Sequence, residues 1–169
     1  MTQSPGLGGD FTFCPRCATR LEAAGSATRP RCPACGFVHW LDPKVAAGVL
    51  ASRDGRLLLV RRNHEPGMGL WSFPSGFVDR GEVVEDAAAR EAFEEAGVRL
   101  EVDRLLGVFS EAGNPVVFVV FLAELGDQEP VAGEEALEVG LFAPDALPEL
   151  AFEHDRPIIE AWRAGLDAR

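Results

Sequence analysis

Glu91, Glu94 and Glu95 fall within five residues of one another, in the stretch REAFEEAG at residues 90–97. Nothing else in the chain narrows its fold as much. At about 100° per residue the three carboxylates crowd one arc of a helix. Each like-charged neighbour three or four positions away costs roughly a few tenths of a kcal/mol. Gly97 reads as the residue just past the helix end, so the carboxylates sit in the last turns, where the macrodipole prefers cations. A compensating positive charge is therefore required. Glu91 and Glu95, one turn apart, suit a hard divalent cation bound through oxygen, with Mg²⁺ (or Mn²⁺) the default because such ions bridge to substrate phosphates. Arg90 lies beside this face and can orient a glutamate by a bidentate contact, and Glu82 can position a ligand from the preceding loop. Taken alone, the glutamates favour an ordinary solvated acidic face.

The flanking sequence gives the frame. VAAGVLAS and RLLLVRR are apolar runs on either side of RDG, residues 53–55, and predict a hairpin. NHEPGMGLWSFPSG is a shaped loop. A helix is expected from Val83 to Ala96, with Ala89, Phe93 and Ala96 opposite the carboxylates and facing the core. Val83 offers no side-chain cap at its start. LLGVFSE and PVVFVVFLAEL predict two strands about the turn signal AGNP, the second central because it is apolar on both faces. LEVGLF reads as a short strand, PDALPEL as a turn with some helical character, and HDRPIIEAWRAGL as a terminal helix. Strands with two helices predict an α/β fold, a mixed sheet with helices on its faces.

Four cysteines fall as Cys14-Pro-Arg-Cys17 and Cys32-Pro-Ala-Cys35. Two such knuckles fit one tetrahedral zinc held by four thiolates, a site with no open position and hence structural. The equal internal spacing argues against two disulfides. So does a cytoplasmic setting, expected because MTQSPGLGGD lacks the basic and apolar regions of a signal peptide. The chain then divides into a disordered N-terminus at 1–9, a zinc ribbon at 10–40 and a main domain at 41–169. A net charge of −11 argues against general binding to nucleic acid or membrane surfaces, both anionic. No apolar run is long enough to cross a bilayer.

The spacing over a longer span is more specific. GFVDRGEVVEDAAAREAFEEAGV is Gly76, five residues, Glu82, seven residues, Arg90-Glu91, two residues, Glu94-Glu95, one residue, Gly97-Val98. This resembles the Nudix box, the signature of hydrolases that cleave nucleoside diphosphates linked to another group. Ala92 is smaller than the aliphatic residue usual at its position, and Ser75 stands where glycine is common. The resemblance implies a Nudix-type α/β/α sandwich. It places Glu91, Glu94 and Glu95 around the catalytic metals, with the Gly76 carbonyl as a further ligand, and has Arg90 and Glu82 hold the carboxylates. A further carboxylate often comes from a downstream loop; GEEALEVGLF is the source here, and Glu135 is chosen over Glu134 and Glu138. The base is then Glu94 or this loop carboxylate.

A four-cysteine ribbon ahead of such a domain is similar to the NADH pyrophosphatases and to smaller hydrolases of ADP-ribose or FAD. Those acting on NADH carry SQPWPFPxS after the box, where this chain has FSEAGNPVVFVVF. The resemblance thus implies pyrophosphate hydrolysis in an ADP conjugate, giving AMP. A nucleoside-triphosphate pyrophosphatase and a ligand-sensing regulator with a nucleic-acid-binding ribbon are the alternatives, and a homodimer is left open. Arg61 and Arg62 could contact phosphate or solvent. Trp40, Trp71 and Trp162 are read as packing residues, and His39, His64 and His154 as structural or surface residues.

Overall fold

The computed structural model describes residues 11–21, 31–40, 42–102 and 104–167. The N-terminal stretch 1–9, expected to be disordered, lies outside the described residues, as does part of the 10–40 segment. Two compact units are resolved: the described residues up to Lys44 together with Ala112–Val116, and those of Val45–Glu111 with Val117 onward.

The hairpin forms where the turn signal places it. β1 (Lys44–Arg53) and β2 (Arg56–Arg62) flank Asp54 and Gly55, whose φ values of 52° and 72° are those a two-residue type I′ turn requires. Arg53 pairs with Arg56 and Ser52 with Leu57. The following strands are β3 (Trp71–Ser72), β4 (Ser75–Phe77), β5 (Arg104–Phe109), β6 (Val116–Glu124) and β7 (Ala136–Phe142); the helices are α1 (Val84–Ala96) and α2 (Asp155–Asp167). The sheet runs β3-β2-β1-β6-β5, with β4 also paired to β1 and β7 to β2. It is mixed. Lys44 donates to Pro115 O and Leu125 to Ser52 O, so β1 and β6 run in the same direction, whereas the hairpin, β4 and β7 pair antiparallel. β6 is interior, as its two apolar faces predict.

Strand alternation sends the side chains to two cores. Ala47, Val49 and Ala51 of β1, Leu58 and Val60 of β2, and Phe121 and Ala123 of β6 pack with Ala87, Ala88, Ala92 and Ala96 of α1. Leu50, Leu57, Leu59, Val120 and Leu122 point the other way and pack with Phe73, Ile158, Ile159 and Trp162, the last three from α2. The result is the expected α/β/α sandwich.

Two expectations fail. The buried stripe of α1 is Ala87, Ala88, Glu91, Ala92, Glu95 and Ala96, so Ala89 is only half-buried and Phe93 is 45% exposed. Alanines let the helix lie close to the sheet, and the glutamates share the buried face rather than opposing it. Phe93 instead sits under the Arg99 guanidinium, 4.4 Å from ring centroid to carbon. PDALPEL shows no helix. Pro144 and Pro148 remove donors, and the chain runs extended along β3, where Trp71 N–H donates to Glu149 O at 3.0 Å and Ala151 N–H to Trp71 O at 2.7 Å.

Candidate functional site

Helix α1 starts at Val83 without a side-chain cap and ends on Gly97, whose left-handed φ of 67° lets its N–H reach Phe93 O. Its last carbonyls are also taken up: Val131 N–H donates to Ala96 O at 2.9 Å and Gly133 N–H to Glu95 O at 3.0 Å. The carboxylate turns are thus held against both the sheet and the loop before β7.

Gly76, in β4, pairs with Ala47 of β1 and faces the helix. A Cβ at this position would overlap the Glu91 carboxylate, so only glycine lets the strand backbone approach that side chain. Glu91 is 7% exposed and Glu95 2%. Ser75 N–H donates to Glu95 Oε2 at 3.0 Å. Burial pushes the Glu95 carboxyl up to about 8, opposed by the Ser75 bond and reinforced by Glu91. Burial likewise raises Glu91, against the pull of Arg90.

Arg90 supplies much of the missing positive charge. Its Nε donates to Glu82 Oε1 at 2.8 Å and its Nη1 to both Glu91 Oε1 and Glu94 Oε2, each at 2.8 Å. Nη2 donates to Glu82 Oε2 and Phe77 O, both at 3.1 Å. Glu82 also accepts Asp79 N–H at 2.8 Å, and the Arg90 bonds hold its carboxyl below the usual range. Three of the sequence candidates, Glu82, Glu91 and Glu94, therefore meet on the guanidinium of a fourth, Arg90. Glu95 does not, and its negative form is left with one backbone donor. Glu135 lies in the turn ahead of β7, and its charge disfavours ionisation of both Glu91 and Glu95. Such an arrangement of buried, mutually repelling carboxylates is one that hard divalent cations would relieve.

Arg61 and Arg62, alike in sequence, part company in space. Arg61 donates to Gly69 O at 2.8 Å and pairs with Glu138 at 3.6 Å on the surface. Arg62 is buried, and its charge favours ionised Glu95. His64 belongs with Arg62, its Nε2 accepting from Arg62 Nη2 at 2.8 Å. Sequence reasoning weighed Arg62 only as a contact to phosphate or solvent and missed its pairing with His64, because the loop that carries His64 past the end of β2 has no regular period.

The cysteines form two matching knuckles. Cys14 N–H donates to Thr19 O and Cys32 N–H to Phe37 O; Ala18 N–H returns to Cys14 O and Gly36 N–H to Cys32 O. Ala18 and Gly36, each four residues past the first cysteine, both take positive φ, 55° and 71°. The four Sγ atoms lie within 4.8 Å of one another, with Cys14–Cys35 at 3.7 Å and Cys17–Cys32 at 3.6 Å. A zinc tetrahedron with bonds of about 2.3 Å has S···S edges of about 3.8 Å. The cluster is compatible with zinc.

A family model described as the NUDIX domain matches residues 42–162. The chain belongs to the NUDIX family. Among its Nudix relatives, an ADP-ribose pyrophosphatase of Methanocaldococcus jannaschii is 36% identical over 132 residues, covering 75% of this chain and 78% of that one. The NAD-capped RNA hydrolase NudC of Chromobacterium violaceum is 38% identical over 143 residues, 82% of this chain but 52% of its own length; the chain spans about half of that relative. A crystal structure of a NUDIX hydrolase from Nitrosomonas europaea superposes with a TM-score of 0.81 at 32% identity, covering 92% of this chain and 94% of that one. Among the described residues no helix is long and apolar enough to cross a membrane.

Proposed function

We propose that this Nudix pyrophosphohydrolase cleaves the pyrophosphate of an ADP conjugate, of the ADP-ribose, FAD or NADH type, to give AMP and the phosphorylated remainder. The observation that carries the reading is the pair Glu91 and Glu95, buried on α1 where Gly76 brings a strand backbone against them. Glu91, Glu94 and Glu95, with the Gly76 carbonyl, would hold Mg²⁺ or Mn²⁺. Bound there, the ions supply positive charge against the anionic pyrophosphate and polarise the attacking water.

The chain's own residues do the rest. Arg90 and Glu82 fix the orientation of the carboxylates through the bonds described above. Glu94 is already held by the Arg90 guanidinium at 2.8 Å, so its carboxylate is assigned to the metals rather than to the proton. Glu135, across from α1, takes the proton as water adds to phosphorus and the bridging oxygen leaves. The Cys14, Cys17, Cys32 and Cys35 thiolates hold a structural zinc, with no position open to substrate. The ADP preference is supported by the two relatives named above and by the ribbon. We place the protein in the cytoplasm, with a small nucleotide conjugate rather than nucleic acid as its partner. A panel of ADP-ribose, FAD, NADH and nucleoside triphosphates with Mg²⁺ and Mn²⁺, read by product identity, tests the reading; triphosphates turned over fastest with release of pyrophosphate would refute it.

A further inference from the structure

The end of β2 and the segment after it carry three side chains that this reaction scheme leaves unused. Arg62, 7% exposed, donates from Nε to Pro66 O at 2.9 Å and lies 2.8 Å from His64 Nε2 through Nη2. Its guanidinium carbon is 5.0 Å from the Phe152 ring centroid. A guanidinium can only donate, so His64 Nε2 accepts, and the ring carries its proton on Nδ1. That Nδ1 lies 3.0 Å from Asn63 Oδ1, which accepts it. With Oδ1 so used, the Asn63 side chain donates from Nδ2 to Glu134 O. The Asn63 backbone N–H donates to Glu135 O at 3.3 Å. Donor direction is consistent along the whole chain, from Arg62 through His64 and Asn63 to the backbone of residues 134 and 135.

This loop needs such a support. The ladder between β2 and β7 reaches only Arg62 and Ala136, with a register shift between Arg61 and Arg62, so residues 134 and 135 lie beyond regular strand pairing. On its other side the loop is fastened to the end of α1 by Val131 and Gly133, and a Cβ on Gly133 would overlap the Glu94 carbonyl oxygen. The loop is therefore held from two directions, by the helix that bears the carboxylates and by the Arg62–His64–Asn63 chain.

We propose that Arg62, His64 and Asn63 form a positioning relay that sets where the Glu135 carboxylate stands against Glu91 and Glu95. The inference rests on the assignment of Glu135 as proton acceptor. A double-mutant cycle separates the two. Turnover is measured on the fastest substrate of a panel of ADP-ribose, FAD, NADH and ATP, with Mg²⁺ saturating, for Asn63→Ala, Glu135→Gln and both together. Asn63→Ala should lower kcat by about tenfold or more while KM moves less than about threefold. The double variant should be no slower than Glu135→Gln alone, because a misplaced base and a missing base are the same defect. Asn63→Asp keeps the acceptor for His64 but sets an oxygen against Glu134 O, and should not rescue. His64→Ala repeats the comparison from the middle of the relay should Asn63→Ala fold poorly. An impaired Glu135→Gln with a normal Asn63→Ala, or losses that multiply in the double variant, overturns the relay alone. A normal Glu135→Gln overturns the assignment of the base and the relay with it.

Discussion

Replacing Glu95 by glutamine should make the metal-free protein more stable at pH 9 and the enzyme nearly inactive. Glu95 is 2% exposed and its carboxyl is raised to about 8 in the fold, from an ordinary 4.5. A raised carboxyl contributes its full stability below the unfolded value and loses it as pH climbs through the folded one. At about 1.4 kcal/mol per pH unit, ionising Glu95 at pH 9 without metal costs up to about 5 kcal/mol. Glutamine removes that charge and can keep an oxygen against Ser75 N–H, but its amide is a new buried polar group, so the net gain should be about 2 kcal/mol. That corresponds to a rise of about 6 °C in melting temperature for a domain of this size. The assay is thermal melting of both proteins in EDTA from pH 5 to 9. The variant should melt below wild type at pH 5, where Glu95 is still protonated in the fold and the amide cost is nearly unopposed, and above it by pH 9, and Mg²⁺ should stabilise the wild type far more than the variant. Turnover should fall on the order of a thousandfold. A variant that melts below wild type at pH 9 in EDTA, or that turns over normally with saturating Mg²⁺, would refute the reasoning.

Other perturbations follow from the same geometry. Gly76→Ala drives a methyl into the Glu91 carboxylate; melting should drop by about 1–3 kcal/mol in free energy and turnover with it, and an unchanged protein would show that the strand does not approach so closely. Arg90→Gln strips the bonds to Glu82, Glu91 and Glu94. In EDTA it should cost about 2 kcal/mol, much of it restored by Mg²⁺, and a loss that Mg²⁺ does not reduce would argue that the metal does not replace that charge. Cys32→Ser should lose one zinc per chain by elemental analysis while the main domain keeps its own unfolding transition. A well-folded wild type that contains no zinc would sink the ribbon.

What the sequence revealed was whatever rests on short-range spacing. The turn at Asp54-Gly55, the helix end at Gly97 and the two knuckles each follow from a local rule about φ or ligand spacing. The face of α1 did not follow. A helical projection separates charge from apolar bulk, and so assigned Phe93 to the core, whereas close packing chose the alanines and admitted Glu91 and Glu95 beside them. The roles of Arg62, Asn63 and His64 depend on which backbone carbonyls a shaped loop presents, and no periodicity encodes that. Spacing alone had Arg90 orient a glutamate, and the resemblance had Arg90 and Glu82 hold the carboxylates; that the Arg90 fork binds Glu82 itself together with Glu91 and Glu94 follows from Glu82 being brought in by the turn at Asp79.

The most direct measurement of the central claim is product analysis of ADP-ribose incubated with the intact protein and Mg²⁺. The account predicts AMP and a phosphorylated ribose in equal amounts, no free pyrophosphate, and no reaction in EDTA or with Glu95→Gln. Undiminished hydrolysis in EDTA would contradict it, as would an ADP-ribose left intact while a nucleoside triphosphate is cut to its monophosphate and pyrophosphate.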